Sequence, residues 1–265
     1  MTKLGFGSML LASIIGISLL TGFTRPAVCQ SPNSSPAQPS QDALPVYIEE
    51  FFLSEAVRSE RKGEMQFTVD GMASRGQGSA AGKSADMGFE YGITRRLQLG
   101  IEAPYGIQST ANSEVPVSWS TVNTSVLYQF IRGNHPFAMS GALGMNLPLI
   151  SRGIASFEPE LLVAKGFGKL QIHSSFIPEL GVGGTSFEYN VAAVRPFAHH
   201  LFPTLEFNGR RNDGANSFYA TPGIYKHFPH ELEIGIGAPV GANSRSNLIG
   251  VILKITWELG GDKDD

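Results

Sequence analysis

Acidic residues recur on one face of the extended segments of this chain. Glu64, Asp70, Asp86, Glu90, Glu102, Glu158, Glu160, Glu179, Glu188, Glu206, Glu233 and Glu258 alternate with apolar neighbours, and the cations sharing their face are chiefly Arg210 and Lys254. If that face lines a lumen, the interior is acidic, and rings of carboxylates favour cations. A plainer role suits the same residues: pairing with lumenal arginines, loop residues or water to solvate a filled interior. The candidate lumen-lining residues are Glu90, Glu102, Glu160, His173, Glu179, Glu188, Glu206, Arg210, Glu233 and Lys254.

Catalysis finds little support. A lipid-hydrolysing site needs a serine, a histidine and an orienting acid or amide near one rim. His173 and Ser175 alternate on one face with Glu179 farther along, in no known nucleophile spacing. His199, His200, His227 and His230 fall in or beside short turns, without the i, i+4 helical spacing or the cysteine companion that marks a metal site. No catalytic residue, cofactor or metal is expected. Arg95, Arg96, Arg132, Lys165 and Lys169 gather near the tight turns, where long cations reach lipid headgroups.

The elements that position these residues are strands. From Glu64 onward the pattern has period two rather than 3.6. In "LQLGIEAPYG" (97–106), Leu97, Leu99, Ile101 and Ala103 share one face, and Gln98, Gly100 and Glu102 the other. The stretch returns as "LEIGIGAPVG" (232–241), with Leu232, Ile234, Ile236 and Ala238 against Glu233, Gly235 and Gly237. Pro104 is expected to stop the first copy near a rim. The alternation predicts strands at 64–71, 84–92, 96–105, 118–131, 136–149, 155–165, 169–181, 186–196, 201–210, 217–227, 231–240 and 247–259. Tight connections ("GITRR", "RGNHP", "GFGK", "PFAHH", "HFPHE") alternate with longer ones such as 71–83 and 106–117. Short periplasmic turns opposite longer external loops are the grammar of an outer-membrane barrel. Gly100, Gly144, Gly235, Gly237 and Gly250 fall on the polar face, where strand bending is the expected use.

The expected fold is all-β: a closed antiparallel up-and-down transmembrane β-barrel of about twelve strands. Strands of about 9–11 residues cross a bilayer, and only alternate residues need be apolar. The mean hydropathy of -0.01 is therefore compatible with a membrane protein. Charged residues are 16% of the 265, below the roughly 25% of soluble domains. That low charge disfavours a secreted soluble barrel with its oily face inside. The net charge of -3 supplies no basic field for nucleic acid.

Met9 to Leu20 is an apolar run behind Lys3, too short for a spanning helix but of signal-peptide length. Residues 1–29 are read as an export signal, cleaved before Gln30; Cys29 is then removed, the alternative being its lipidation. Residues 30–46, rich in serine, proline and glutamine, read as a disordered linker. Residues 47–62 form a periplasmic pre-barrel segment that the sequence leaves open as helix, strand extension or plug. The barrel follows at 63–260, and an acidic tail at 261–265.

At "GFEYGITRRLQLGIEAPYG", preceded by "EEFFLSEAVRSERKGEMQFTV", the chain resembles outer-membrane barrels grouped with the phenol meta-pathway type transporters. The features carried are Lys62-Gly63-Glu64 before the first strand and a tyrosine-glycine turn before a Leu-x-Leu-Gly strand. The resemblance implies an exported barrel passing small, often aromatic or apolar molecules, with no catalytic residues to transfer. One departure is the tail: Trp257-Glu258-Leu259 is followed by "GGDKDD", where many such barrels end on an aromatic assembly signal. The expected location is the outer membrane, and the expected partners are its lipids, the barrel-assembly machinery and a small-molecule solute. Two other function classes stay open, an outer-membrane lipid-modifying enzyme and a secreted soluble ligand-binding barrel.

Overall fold

The computed structural model describes residues 44–45, 47–75, 81–110, 113–117, 121–132, 136–149, 155–181, 184–198, 200–212, 215–243, 246 and 249–261. The expected signal peptide with Cys29, the linker apart from Leu44 and Pro45, and the tail after Gly261 lie outside the described residues.

Alternation of apolar and polar side chains produces strands wherever the sequence pattern called for them. They are β1 (Glu64–Arg75), β2 (Ala81–Thr94), β3 (Leu97–Thr110), β4 (Ser113–Val117), β5 (Thr121–Ile131), β6 (Phe137–Pro148) and β7 (Ser156–Phe167). There follow β8 (Leu170–Gly181), β9 (Gly184–Val194), β10 (Leu201–Asn212), β11 (Ala215–Phe228), β12 (Leu232–Gly237), β13 (Val240–Gly241) and β14 (Ile249–Gly260). Sequential neighbours pair antiparallel, and β14 returns to β1 in a register running from Glu64↔Gly260 to Arg75↔Ile249. The sheet is thus a closed antiparallel barrel of 12 strands. β12 and β13 are two pieces of one stave, while β4 pairs with β3 alone.

Side-chain exposure identifies what surrounds the barrel. Phe67, Leu99, Ile101, Phe130, Leu143, Phe176, Val251 and Trp257 are exposed, whereas Gln66, Thr68, Gln98, Ser140, Asn190, Asn208 and Thr256 are buried. That is the inverse of a water-soluble protein. An oily exterior on a closed sheet, its strands paired to one another, is the solution hydrocarbon requires. The soluble barrel with an oily interior does not match this distribution.

Two expectations are corrected. Pro104 does not stop its strand: β3 runs on to Thr110, with Pro104 opposite Asp86. On its other side β3 has left β5 after Glu102↔Asn123 and meets β4 at Gly106↔Val117, so the missing N–H falls in a gap of the ladder. The second copy of the decapeptide behaves differently, since its stave is interrupted at Ala238-Pro239. The two connections expected to be long, 71–83 and 106–117, also shrink, because β1–β2 pair out to Arg75↔Ala81 and β3–β4 out to Thr110↔Ser113. As expected of strands where a missing side chain lets a neighbour pack close, the lumenal glycines make room for rings. A Cβ on Gly237 would meet the Phe52 ring at 2.9 Å, and one on Gly235 would meet Tyr225 at 2.4 Å.

Residues 44–45 and 47–62 carry no strand or helix and pack inside the barrel. Leu44 and Val57 join Leu127, Ala138, Leu162 and Ala164 in one buried apolar cluster. Ile48, Phe51 and Phe52 join Ala192, Val194, Phe202, Tyr225 and Ile252 in another. The pre-barrel segment read as periplasmic, with its form left open, therefore lies against lumenal walls as a plug.

Candidate functional site

The plug is held by polar residues spread around the wall. Glu206 is fully buried, and its carboxylate accepts the backbone N–H groups of Phe52 and Leu53 at 2.8 and 2.9 Å and the Ser54 hydroxyl at 3.2 Å. Asn208 donates to the Leu53 carbonyl at 3.1 Å and to Ser54 Oγ at 3.0 Å. Lys254 Nζ pairs with Glu50 at 2.9 Å, and Gln66 Nε2 donates to the other Glu50 oxygen at 2.8 Å. Gln171 Nε2 donates to the Pro45 carbonyl at 2.6 Å, the Gln98 amide oxygen accepts the Glu60 N–H at 2.8 Å, and Ser140 Oγ donates to the Val57 carbonyl. A segment without secondary structure must satisfy its backbone this way, because each buried unpaired group costs about 1–3 kcal/mol.

Aromatic contacts seat the middle of the plug. Phe52 stacks on Tyr225 with ring centroids 4.4 Å apart, and Phe51 meets His173 edge-on at 4.8 Å. At Gly223 a Cβ would come within 2.2 Å of the Phe52 ring, so this glycine makes the socket.

Beyond the plug tip lies a cavity of about 330 Å³. Its floor is formed by residues 50–55 and its walls by β1, β2, β3, β5, β6, β7 and Lys254 of β14. Glu50, Glu55, Asp70, Asp86, Glu90, Glu102, Glu158 and Glu160 line it, against the single cation Lys254.

The ten residues chosen from sequence fall into three groups. Glu206, Lys254 and His173 contact the plug, and His173 Nε2 also lies 3.3 Å from the Gln171 amide oxygen. Glu90, Glu102 and Glu160 line the cavity. Glu179 pairs with Arg210 at 3.1 Å and accepts from Ser186 at 2.6 Å, while Glu188 accepts from Asn190 at 3.3 Å. Glu233, paired with His227, belongs with the plug contacts as well, since it accepts the Glu49 backbone N–H. Ser175 accepts from Asn190 at 3.0 Å and His173 is occupied by Phe51 and Gln171, so the pair does not form a nucleophile and its base.

Sequence reasoning did not single out Glu50, Phe51, Phe52, Ser54, Gln66 and Asn208. The available signal was the density of apolar side chains between acids in "IEEFFLSEAV", unusual for a solvated leader. Within the plug, burial first and then the charges of Glu49, Glu90, Glu64 and Glu258 push the Glu60 carboxyl up to about 10. Burial, followed by repulsion from Glu233, raises Glu49 to about 7.

The motif residues behind the family resemblance meet one another where plug becomes barrel. Gly63, at φ 78°, donates its N–H to the Gly92 carbonyl at 2.8 Å. A Cβ on Gly92 would sit 1.9 Å from the Arg61 carbonyl oxygen. Only glycine permits that approach.

No protein-family model matches the chain, and no curated protein matches it. Solved structures do. An outer-membrane channel from Pseudomonas putida F1 aligns with a TM-score of 0.58 at 11% identity, over 77% of this chain and 98% of that one. KdgM porin aligns with a TM-score of 0.55 at 8% identity, over 74% and 99%. KdgM porin in complex with disordered oligogalacturonate gives 0.51 at 7% identity, over 75% and 99%. At these identities the likeness is one of fold, that of porin-type barrels.

Proposed function

We propose that this chain is an outer-membrane channel for passive passage of small molecules, gated by its own N-terminal segment, and not an enzyme. The observation carrying the reading is an oily-walled closed barrel whose polar lumen is stoppered by residues 44–62 and opens beyond them into a cavity. A purely structural barrel would not need polar clamps for an irregular segment; a channel that must close does. The ends of the barrel support an orientation. Both the first and last strands start or finish at the end with the tight turns, which is the periplasmic end in barrels of this kind.

The resemblance to phenol meta-pathway type transporters adds aromatic or apolar solutes as cargo. A polyanion such as the oligogalacturonate bound by KdgM porin does not suit a cavity lined by eight carboxylates and one lysine.

Reconstitution into liposomes tests the channel reading by swelling in small neutral solutes. Slow flux is expected for the wild-type protein, and Phe52→Ala, which empties the Gly223 socket, should raise it several-fold. A variant with loosened plug that still passes nothing, with lipid hydrolysis appearing instead, would overturn the proposal in favour of an enzyme.

A further inference from the structure

The cavity beyond the plug has a charge problem. Eight carboxylates face about 330 Å³ of space, and the one cation among its lining, Lys254, is already engaged by Glu50 at 2.9 Å. Asp70 and Asp86 stand directly across the β1–β2 ladder from each other. Like charges so placed repel. No other lining residue neutralises these acids, as a cationic ligand would.

A second feature, independent of charge, points to a ligand. Thr68 is only 7% exposed and lines the cavity, yet its hydroxyl oxygen has no hydrogen-bond partner. Asp86 Oδ1 and Glu160 Oε1, from the same lining, are buried and unpartnered too. Ionised carboxylate oxygens only accept and a threonine hydroxyl can accept as well as donate, so a partner rich in N–H donors satisfies all three. Leaving such groups unmet costs about 1–3 kcal/mol each.

Among the described residues no three acidic, histidine or cysteine side chains converge on one point as metal ligands. Dispersed acids on several strands instead match separated positive centres. The cavity's volume of about 330 Å³ is room for a small organic molecule.

From these observations we infer that the cavity binds small organic cations with two or more ammonium groups, a diamine or polyamine, held by Asp70, Asp86, Glu102 and Glu160 with Thr68 accepting an N–H. The inference rests on the channel reading for its purpose and names an organic cation as cargo in place of the aromatic or apolar solutes that the family resemblance adds, but binding itself does not require flux.

Calorimetry on the full-length mature protein in detergent tests it, with spermidine, 1,5-diaminopentane, pentylamine and 1,5-pentanediol as probes. Spermidine and the diamine are expected to bind at least about tenfold more tightly than the monoamine, with no binding of the diol. Asp86→Asn and Glu102→Gln should each weaken the diamine about tenfold. Thr68→Val, which leaves the charge unchanged, should weaken it about threefold to tenfold, and heat-modifiable gel migration reports whether each variant folds. Equal binding of the diol, or folded variants with wild-type affinity for the diamine, would overturn the site. Diamine binding without liposome flux would leave the site standing and remove the channel; neutral-solute flux without diamine binding would do the reverse.

Discussion

Glu206 shows how much of the closed state hangs on single side chains. It is the acceptor for two consecutive plug N–H groups and a plug hydroxyl, at a sequence distance of 154 residues from Phe52. Glu206→Ala strands those donors, at a cost of about 2 kcal/mol, or roughly 30-fold in the undocked population. Glu206→Gln keeps one good acceptor and should fall between. Trypsin cleavage after Arg58 in the folded barrel reads this population, because cutting a briefly open segment follows its equilibrium. Equal cleavage of all three proteins would show that Glu206 is not the clamp. Glu60 and Glu49 argue for a pH response of the same docking step. Their docked carboxyls titrate near about 10 and 7, above the ordinary 4.5, so docking favours the protonated forms. Their contribution is fully present below about pH 4.5 and is lost as pH rises through 7 and toward 10. Single-channel open probability should therefore climb from pH 5 to pH 9, and Glu60→Gln should flatten the alkaline part of that climb. A flat wild-type profile would count against it.

The strands and the plug differ in how far their own residues specify them. Leu97, Leu99 and Ile101 alternate with Gln98, Gly100 and Glu102 because a wall between lipid and lumen imposes a two-residue period, and that period was readable. What the pattern missed is where prolines fall relative to the ladder, as at Pro104, and how far strands continue beyond the bilayer, as β3 does with β4. The plug was unreadable in a stronger sense: Phe52, Leu53 and Ser54 follow no period and owe their positions to Glu206, Asn208 and Tyr225 far along the chain. The lumenal acids could be placed on their face from sequence, but their division between clamp and cavity could not, for the same reason. One element-scale weakness is measurable. The β7–β8 ladder pairs Phe157↔Leu180 and then Leu161↔Phe176, so Pro159 and Pro178 stand opposite each other in the interrupted stretch. Neither can donate, and hydrocarbon offers no substitute for a missing wall bond. Pro159→Val with Pro178→Val should restore donors on both strands and raise the temperature at which the barrel loses its compact gel migration, each single change doing less. An unchanged temperature in the double variant would mean the gap has another cause.

At the scale of the whole molecule, closure decides whether any of this exists. The last strand is the only bond between the beginning and the end of the wall: β14 pairs with β1 from Glu64↔Gly260 to Arg75↔Ile249 while its other edge holds β12 from Leu232↔Trp257 to Gly237↔Ile252. An open sheet in a bilayer leaves two rows of unpaired backbone groups, each costing several kcal/mol, so a partly closed barrel has no stable place there. Loss of the strand end should then act as a step and not as a slope. A chain ending at Gly261 keeps every β1–β14 and β12–β14 pair and should fold with wild-type heat-modifiable migration, which makes the acidic residues 262–265 dispensable to the wall. A chain ending at Ile255 loses the pairs that Glu64 to Thr68 make with Thr256 to Gly260, together with Leu232↔Trp257 and Glu233↔Thr256, and no folded, protease-resistant barrel should be recovered. Recovery of that shorter chain as a resistant barrel would show that the wall closes by a different register. Failure of the longer one would place an assembly signal in the tail.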